Sequence, residues 1–105
     1  MSKIMWQPTA DQVPITEMDK FRCQINEKFN LQLESYEDLH NWSVTNISEF
    51  WGEMWGYGDI IYSESYKEAV DDLTKMPGAK WFSGARLNYA ENLLRFRDNK
   101  IALVF

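Results

Sequence analysis

The sequence predicts a mainly α-helical segment of about four to five short helices that closes on one terminal short strand. Three observations carry that prediction. Apolar residues recur at steps of three and four in several windows, Ser, Thr and Asn stand where helices would start, and the last five residues form an unbroken apolar run. The 105 residues allow one domain or part of one, and an apolar fraction of 45% can support a packed core. Aromatic residues at 15% supply a payload that disordered chains lack.

Residues 1–15 hold Pro8 and Pro14 and read as an irregular lead-in, with Trp6 as its candidate anchor. A first helix is expected from Thr16 to Asn30, because Met18, Phe21, Ile25 and Phe29 share one face. The Thr16 hydroxyl can accept a backbone N–H there, and Glu17 and Asp19 suit the positive end of the helix dipole. A second short helix should begin at Ser35, where Ser35 and Asp38 resemble a capping box with Asp in place of Glu. Tyr36, Leu39 and Trp42 then fall on one face.

The third helix has the strongest pattern. Asn46 and Glu49 fit a reciprocal cap, and Ile47, Phe50, Trp51, Met54 and Trp55 follow helical spacing. Gly56 and Gly58 are expected to end it by entering left-handed geometry. Ile60 to Tyr62 reads as a short extended piece, residues 63–75 as a weaker helix around Tyr66, Val70 and Leu73, and Pro77-Gly78 as a turn. Asn88 would cap a last helix, with Glu91 three residues on and Leu93 and Leu94 apolar. Residues 101–105, Ile-Ala-Leu-Val-Phe, look like a buried strand. The only other extended candidate is Ile60 to Tyr62, so the strand's partners are expected beyond residue 105 and the chain is expected to be truncated. No internal repeat or low-complexity tract is present.

Charge and cysteine usage exclude some classes of partner. Sixteen acidic residues against eleven basic give a net charge of −5, and Arg86, Arg95, Arg97 and Lys100 are scattered. A nucleic-acid partner is not expected without a basic stripe to neutralise phosphates. Cys23 is the single cysteine and can form no internal disulfide. The start, MSKIMWQP, lacks the apolar core of a signal peptide, and no run approaches membrane-spanning length. The expected setting is the cytosol, with no membrane partner.

The chemical inventory is sparse. His40 and Cys23 stand alone, so no metal cluster forms from them, and no glycine-rich phosphate loop with a following Lys-Ser or Lys-Thr occurs. Ser83-Gly84 lacks the second glycine of a nucleophile elbow. Asp71-Asp72 reads as a solvated helix face rather than a pair of working carboxylates. His40, near the end of a short helix, reads as a capping or packing residue, and Trp51 and Trp55 as core. Cys23 reads as an inert thiol, since Asp19 and Glu27 offset Lys20 on its side of the helix. No catalytic, cofactor-binding or metal-ligating residue is assigned.

The stretch Trp81-Phe82-Ser83-Gly84-Ala85-Arg86-Leu87-Asn88-Tyr89-Ala90-Glu91-Asn92 resembles the W-F-x-G-x-x-L-N-x-A-x-N signature near the N-terminus of short-chain acyl-CoA synthetases. Ser35-Tyr36-Glu37-Asp38-Leu39-His40, Trp42-Ser43-Val44 and Phe50-Trp51 are similar to the acetoacetyl-CoA synthetase branch of that family, as are Met5-Trp6-Gln7-Pro8 and Met18-Asp19-Lys20-Phe21. Ala85 departs from the second glycine common in acetyl-CoA synthetases, which weakens the acetyl reading. The resemblance implies the N-terminal part of a larger α/β adenylate-forming enzyme. Residues 16–95 would be its helical N-terminal region, and 96–105 the start of the large adenylating domain, the missing remainder of which is the implied partner.

The resemblance also implies a ligase that joins ATP and acetoacetate, with Mg²⁺ assisting, into an acyl-adenylate and diphosphate. The thiol of coenzyme A then displaces AMP, in the service of ketone-body utilisation and lipid metabolism. The family's phosphate loop, acid-site residues, ribose-binding Asp and adenylation Lys match no position here, so ATP, Mg²⁺, coenzyme A and acetoacetate are expected only in the full-length enzyme. Trp81 and Phe82 would pin a loop into the adenylating domain, and Asn88 would start a helix that feeds its first strand at Ile101. Arg86 would pair with an acid or lie at the surface, a contact with coenzyme A being the sharper alternative. A reading of another class is a stand-alone helical interaction module that binds a protein through its aromatic surface.

Overall fold

The structure, a computed structural model, describes residues 2–105. Its described residues contain four α-helices and a two-stranded antiparallel sheet, so the mainly helical prediction holds. They divide into two compact units, one ending at Glu53 and the other spanning Met54–Phe105.

In the first unit, Pro14 lies in a single 3-10 turn over Val13–Ile15, and helix α1 follows over Glu17–Phe29. The Thr16 hydroxyl accepts the Asp19 N–H at 3.2 Å, and Asn30 ends the helix in left-handed geometry with φ 53°. Both ends fall where the side chains predict them. Asn26 then turns the chain: its amide accepts the Leu33 N–H at 2.8 Å and donates to the Leu33 carbonyl at 2.9 Å. The Arg22 guanidinium reaches the same carbonyl.

Helix α2, Tyr36–Thr45, starts on the complete capping box. Asp38 N–H donates to Ser35 Oγ at 3.1 Å, and the Asp38 carboxylate accepts the Ser35 and Glu34 N–H groups, each at 3.0 Å. Phe21, Ile25 and Leu39 are buried between these elements. Phe21 meets Phe50 edge to face at 5.8 Å, and Phe29 meets Trp42 at 5.3 Å. Lys28 and Glu53 form an ion pair.

Helix α3, Ile47–Tyr57, crosses the boundary between the units. Its end differs from expectation. Gly56 is helical and Gly58 keeps a negative φ, whereas Asp59 takes the left-handed position with φ 53°. A short polar side chain tolerates that conformation, so the glycines are not needed for it. Trp51 is 42% exposed and is not a core residue, while Trp55 is partly buried.

The second unit corrects the reading of residues 63–75. They are not helical: Glu68–Val70 forms strand β1, which pairs antiparallel with strand β2, Trp81–Ser83. The register sets Glu68 against Ser83 and Val70 against Trp81, and an isolated bridge from Glu64 to Arg86 continues the ladder. Acidic residues outside and apolar ones at wide spacing fit a weak helix and a half-buried strand alike. Pairing with the distant Trp81 decides between them. Helix α4, Tyr89–Leu93, begins at Asn88 as predicted. Ile60 to Tyr62 belongs to no strand, and residues 101–105, read from the sequence as a buried strand, take no regular structure here and are exposed.

Candidate functional site

The densest set of specific contacts in the second unit is built from Trp81 to Arg95. Strand β2 delivers Phe82 in left-handed backbone geometry, φ 49°, which an aromatic residue adopts only where surrounding contacts hold it. The Phe82 ring lies 4.9 Å from that of Trp55 and 5.1 Å from that of Tyr66. Trp55 also meets Tyr66 at 5.2 Å and Tyr62 at 5.5 Å, so four rings interlock. Trp81, on the other face of the strand, remains 46% exposed.

Gly84 follows with φ 86°, and a Cβ there would lie 3.2 Å from Lys67 Cγ. The turn therefore favours glycine for its backbone conformation, while the exposed Lys67 side chain would have to shift slightly to admit a Cβ. Arg86 exchanges backbone hydrogen bonds with Glu64, at 3.0 and 3.3 Å, and its carbonyl accepts from Ser63 N–H at 2.8 Å. The side-chain pairing of Arg86 with Glu64, 3.7 Å apart, fits the ion-pair reading of this arginine.

Helix α4 is held by polar groups. Asn88 Oδ1 accepts the Glu91 N–H at 3.1 Å. Asn92 clasps Ile61 on both sides, accepting its N–H at 2.8 Å and donating to its carbonyl at 2.9 Å. Arg95 donates to the Asp59 carbonyl at 2.6 Å, to Asn92 Oδ1 at 2.9 Å and to the Asn92 carbonyl at 3.1 Å. This clasp is invisible to sequence reasoning beyond the repeated Asn of the motif, because Ile61 lies far away along the chain.

The other singled-out residues have structural settings. Asp71 accepts the Lys80 and Asp72 N–H groups, both at 2.7 Å, and the Lys80 contact leads in holding its carboxyl below the ordinary value of 3.8. Asp72 accepts from the Thr74 hydroxyl at 2.6 Å, which lowers its pKa in the same direction. They cap a turn rather than line a helix. His40 lies mid-helix in α2, exposed and stacked on Tyr36 with ring centroids 6.1 Å apart, so it packs but does not cap. Cys23 is exposed with the Arg22 guanidinium 3.7 Å away. Trp6 is exposed, yet with Pro8, Met18, Tyr36 and Leu39 it lines an apolar groove of about 330 Å³ in the first unit.

Chemically, these groups build a scaffold. Among the described residues no three His, Cys, Asp or Glu side chains converge to hold a metal ion. Arg95 is occupied by backbone carbonyls, and Arg86 is paired with Glu64. No step of a reaction is assigned to these residues. No helix among the described residues is long and apolar enough to cross a membrane.

Residues 36–93 match the family described as acetyl-coenzyme A synthetase N-terminus. Over 97% of its length the chain is 45% identical to acetoacetyl-CoA synthetase of Xenopus tropicalis. Over 88% it is 45% identical to malonamoyl-CoA synthetase vrtB of Penicillium aethiopicum. The solved acetoacetyl-CoA synthetase from Streptomyces lividans superimposes with a TM-score of 0.77 at 35% identity, over 86% of this chain and 14% of that one. The chain spans about 15% of the length of the acetoacetyl-CoA synthetases it matches. Fold and matched stretch together define an N-terminal segment of the acyl-CoA synthetase class. The chain belongs to the acetyl-coenzyme A synthetase N-terminus family.

Proposed function

We propose that this chain is the N-terminal segment of an acetoacetate–CoA ligase, which converts ATP, acetoacetate and coenzyme A to acetoacetyl-CoA, AMP and diphosphate in the cytosol. The observation that carries this reading is the match to acetoacetyl-CoA synthetases along 97% of the chain, including the region before Tyr36 where the broader family match begins. On this reading the segment is inactive alone. It binds no nucleotide, and its aromatic hairpin and Asn92 clasp serve as a folded base for the adenylating domain. Acetoacetate, ATP, Mg²⁺ and coenzyme A would meet on the rest of the enzyme, which would act in ketone-body and lipid metabolism.

An antibody raised against residues 30–55 tests the reading. The expected result is a band several times heavier than the 12.5 kDa of this chain, with acetoacetate-dependent AMP formation by the protein of that size. A sole band at 12.5 kDa, monomeric and melting cooperatively, would overturn it in favour of an autonomous interaction module.

A further inference from the structure

Charge is divided unevenly between the two units. Up to Glu53, nine carboxylates stand against four cations, a net of −5, whereas from Met54 onward seven stand against seven. Three of those four cations are engaged within their own unit: Lys20 with Glu17, Arg22 with Asp19 and Lys28 with Glu53. The net negative charge of the whole chain therefore sits on its first unit. A body of that length has a radius of gyration of about 10 Å, close to one Debye length at physiological salt, so the excess is felt over most of its surface.

The same unit holds the apolar groove. Trp6, Pro8, Val13, Met18, Tyr36 and Leu39 line it, and Trp6 is 77% and Met18 53% exposed, so its apolar wall is open to solvent. Arg22, the one cation in the lining, is held by Asp19 at 2.8 Å and by the Leu33 carbonyl, which leaves little for an anion. At about 330 Å³ the groove is at the small end of ligand sites, room for one bulky side chain rather than a cofactor.

We infer that this groove docks a basic peptide segment of another protein, seating one large apolar side chain beside Trp6 and Met18 while flanking lysines or arginines face the unit's carboxylates. Charge chooses this occupant. A second copy of the chain would bring another unit of net charge −5 to the groove, and an acidic segment would meet the same repulsion. The apolar seat supplies the anchor, and the field supplies steering and the choice of sign. Every group involved lies between Trp6 and Glu53, so the inference holds with or without the ligase reading.

Fluorescence anisotropy tests it with a labelled synthetic peptide of lysines and alanines around one central tryptophan. The peptide is offered to the 105-residue chain and to a chimera in which this chain replaces the matched segment of the Xenopus tropicalis acetoacetyl-CoA synthetase. Both proteins should bind it, more weakly as salt is added. Trp6→Ala and Met18→Ala should each weaken binding at least roughly tenfold, as loss of an anchor contact does, with helical circular dichroism unchanged because both positions are exposed. A peptide with Glu in place of every Lys should not bind. Full affinity in both variants would overturn the inference in favour of diffuse attraction to an acidic surface. Equal binding of the Glu peptide would overturn the role of charge, and loss of binding in the folded chimera would show the groove covered in the longer polypeptide and overturn the docking site.

Discussion

Asn92 shows how one side chain can hold an element that apolar contacts do not. Its amide closes two hydrogen bonds on Ile61, one to the N–H and one to the carbonyl, and its Oδ1 also accepts from Arg95. Asn92→Ala would strand both backbone groups of a partly buried residue, and we expect a loss of roughly 1–3 kcal/mol in urea unfolding. A loss below a few tenths would mean that water replaces the clasp without cost. Gly84 makes a second residue-scale case. With φ 86° and Lys67 Cγ 3.2 Å from where a Cβ would stand, Gly84→Ala meets both backbone strain and a close contact. The expected destabilisation is about 1–3 kcal/mol, read in the same unfolding experiment.

At the scale of elements, helix starts were legible and the sheet was not. Thr16, Ser35 and Asn88 each accept the backbone N–H three residues on, because capping is settled within one turn of chain. Ser35→Ala should therefore cost about 1 kcal/mol and lower helical circular dichroism before global unfolding. Strands β1 and β2 carry only three residues each, and ten residues separate them, so no local signal outweighed the apolar spacing of Tyr66, Val70 and Leu73. What makes the hairpin is the ring cluster of Trp55, Tyr62, Tyr66 and Phe82, gathered from three separate stretches. Phe82→Ala removes two ring contacts yet leaves the left-handed backbone in place, and roughly 2–4 kcal/mol should be lost. Near-ultraviolet dichroism of the Trp55 environment should collapse with it. The functional stretch was legible as a motif, while its clasp to Ile61 and its strained Phe82 became visible only in three dimensions.

For the molecule as a whole, acid is the informative perturbation, because each unit depends on carboxylates that cap backbone groups. Asp38 lies below its ordinary 3.8 chiefly through the Glu34 N–H, with the Ser35 hydroxyl and N–H adding to it. Asp71 is lowered chiefly by the Lys80 N–H, and Asp72 by the Thr74 hydroxyl. A carboxyl whose folded pKa is depressed binds protons more readily in the unfolded chain. Its contribution to stability is therefore complete above 3.8 and disappears as pH falls through the lower folded value. The urea midpoint should stay level from neutral pH to about 5 and drop below about 4, a window set by these carboxylates. Asp38→Asn and Asp71→Asn should each lower the midpoint at neutral pH and flatten the acid limb, since the mutated position no longer titrates. Added salt should leave the hydrogen-bonded part of the effect and screen the part due to net charge. An acid limb as steep in the double variant as in the natural chain would show that other groups govern the transition. In that case the capping box of α2 and the turn at Asp71 would be passengers of the fold rather than its acid-sensitive supports.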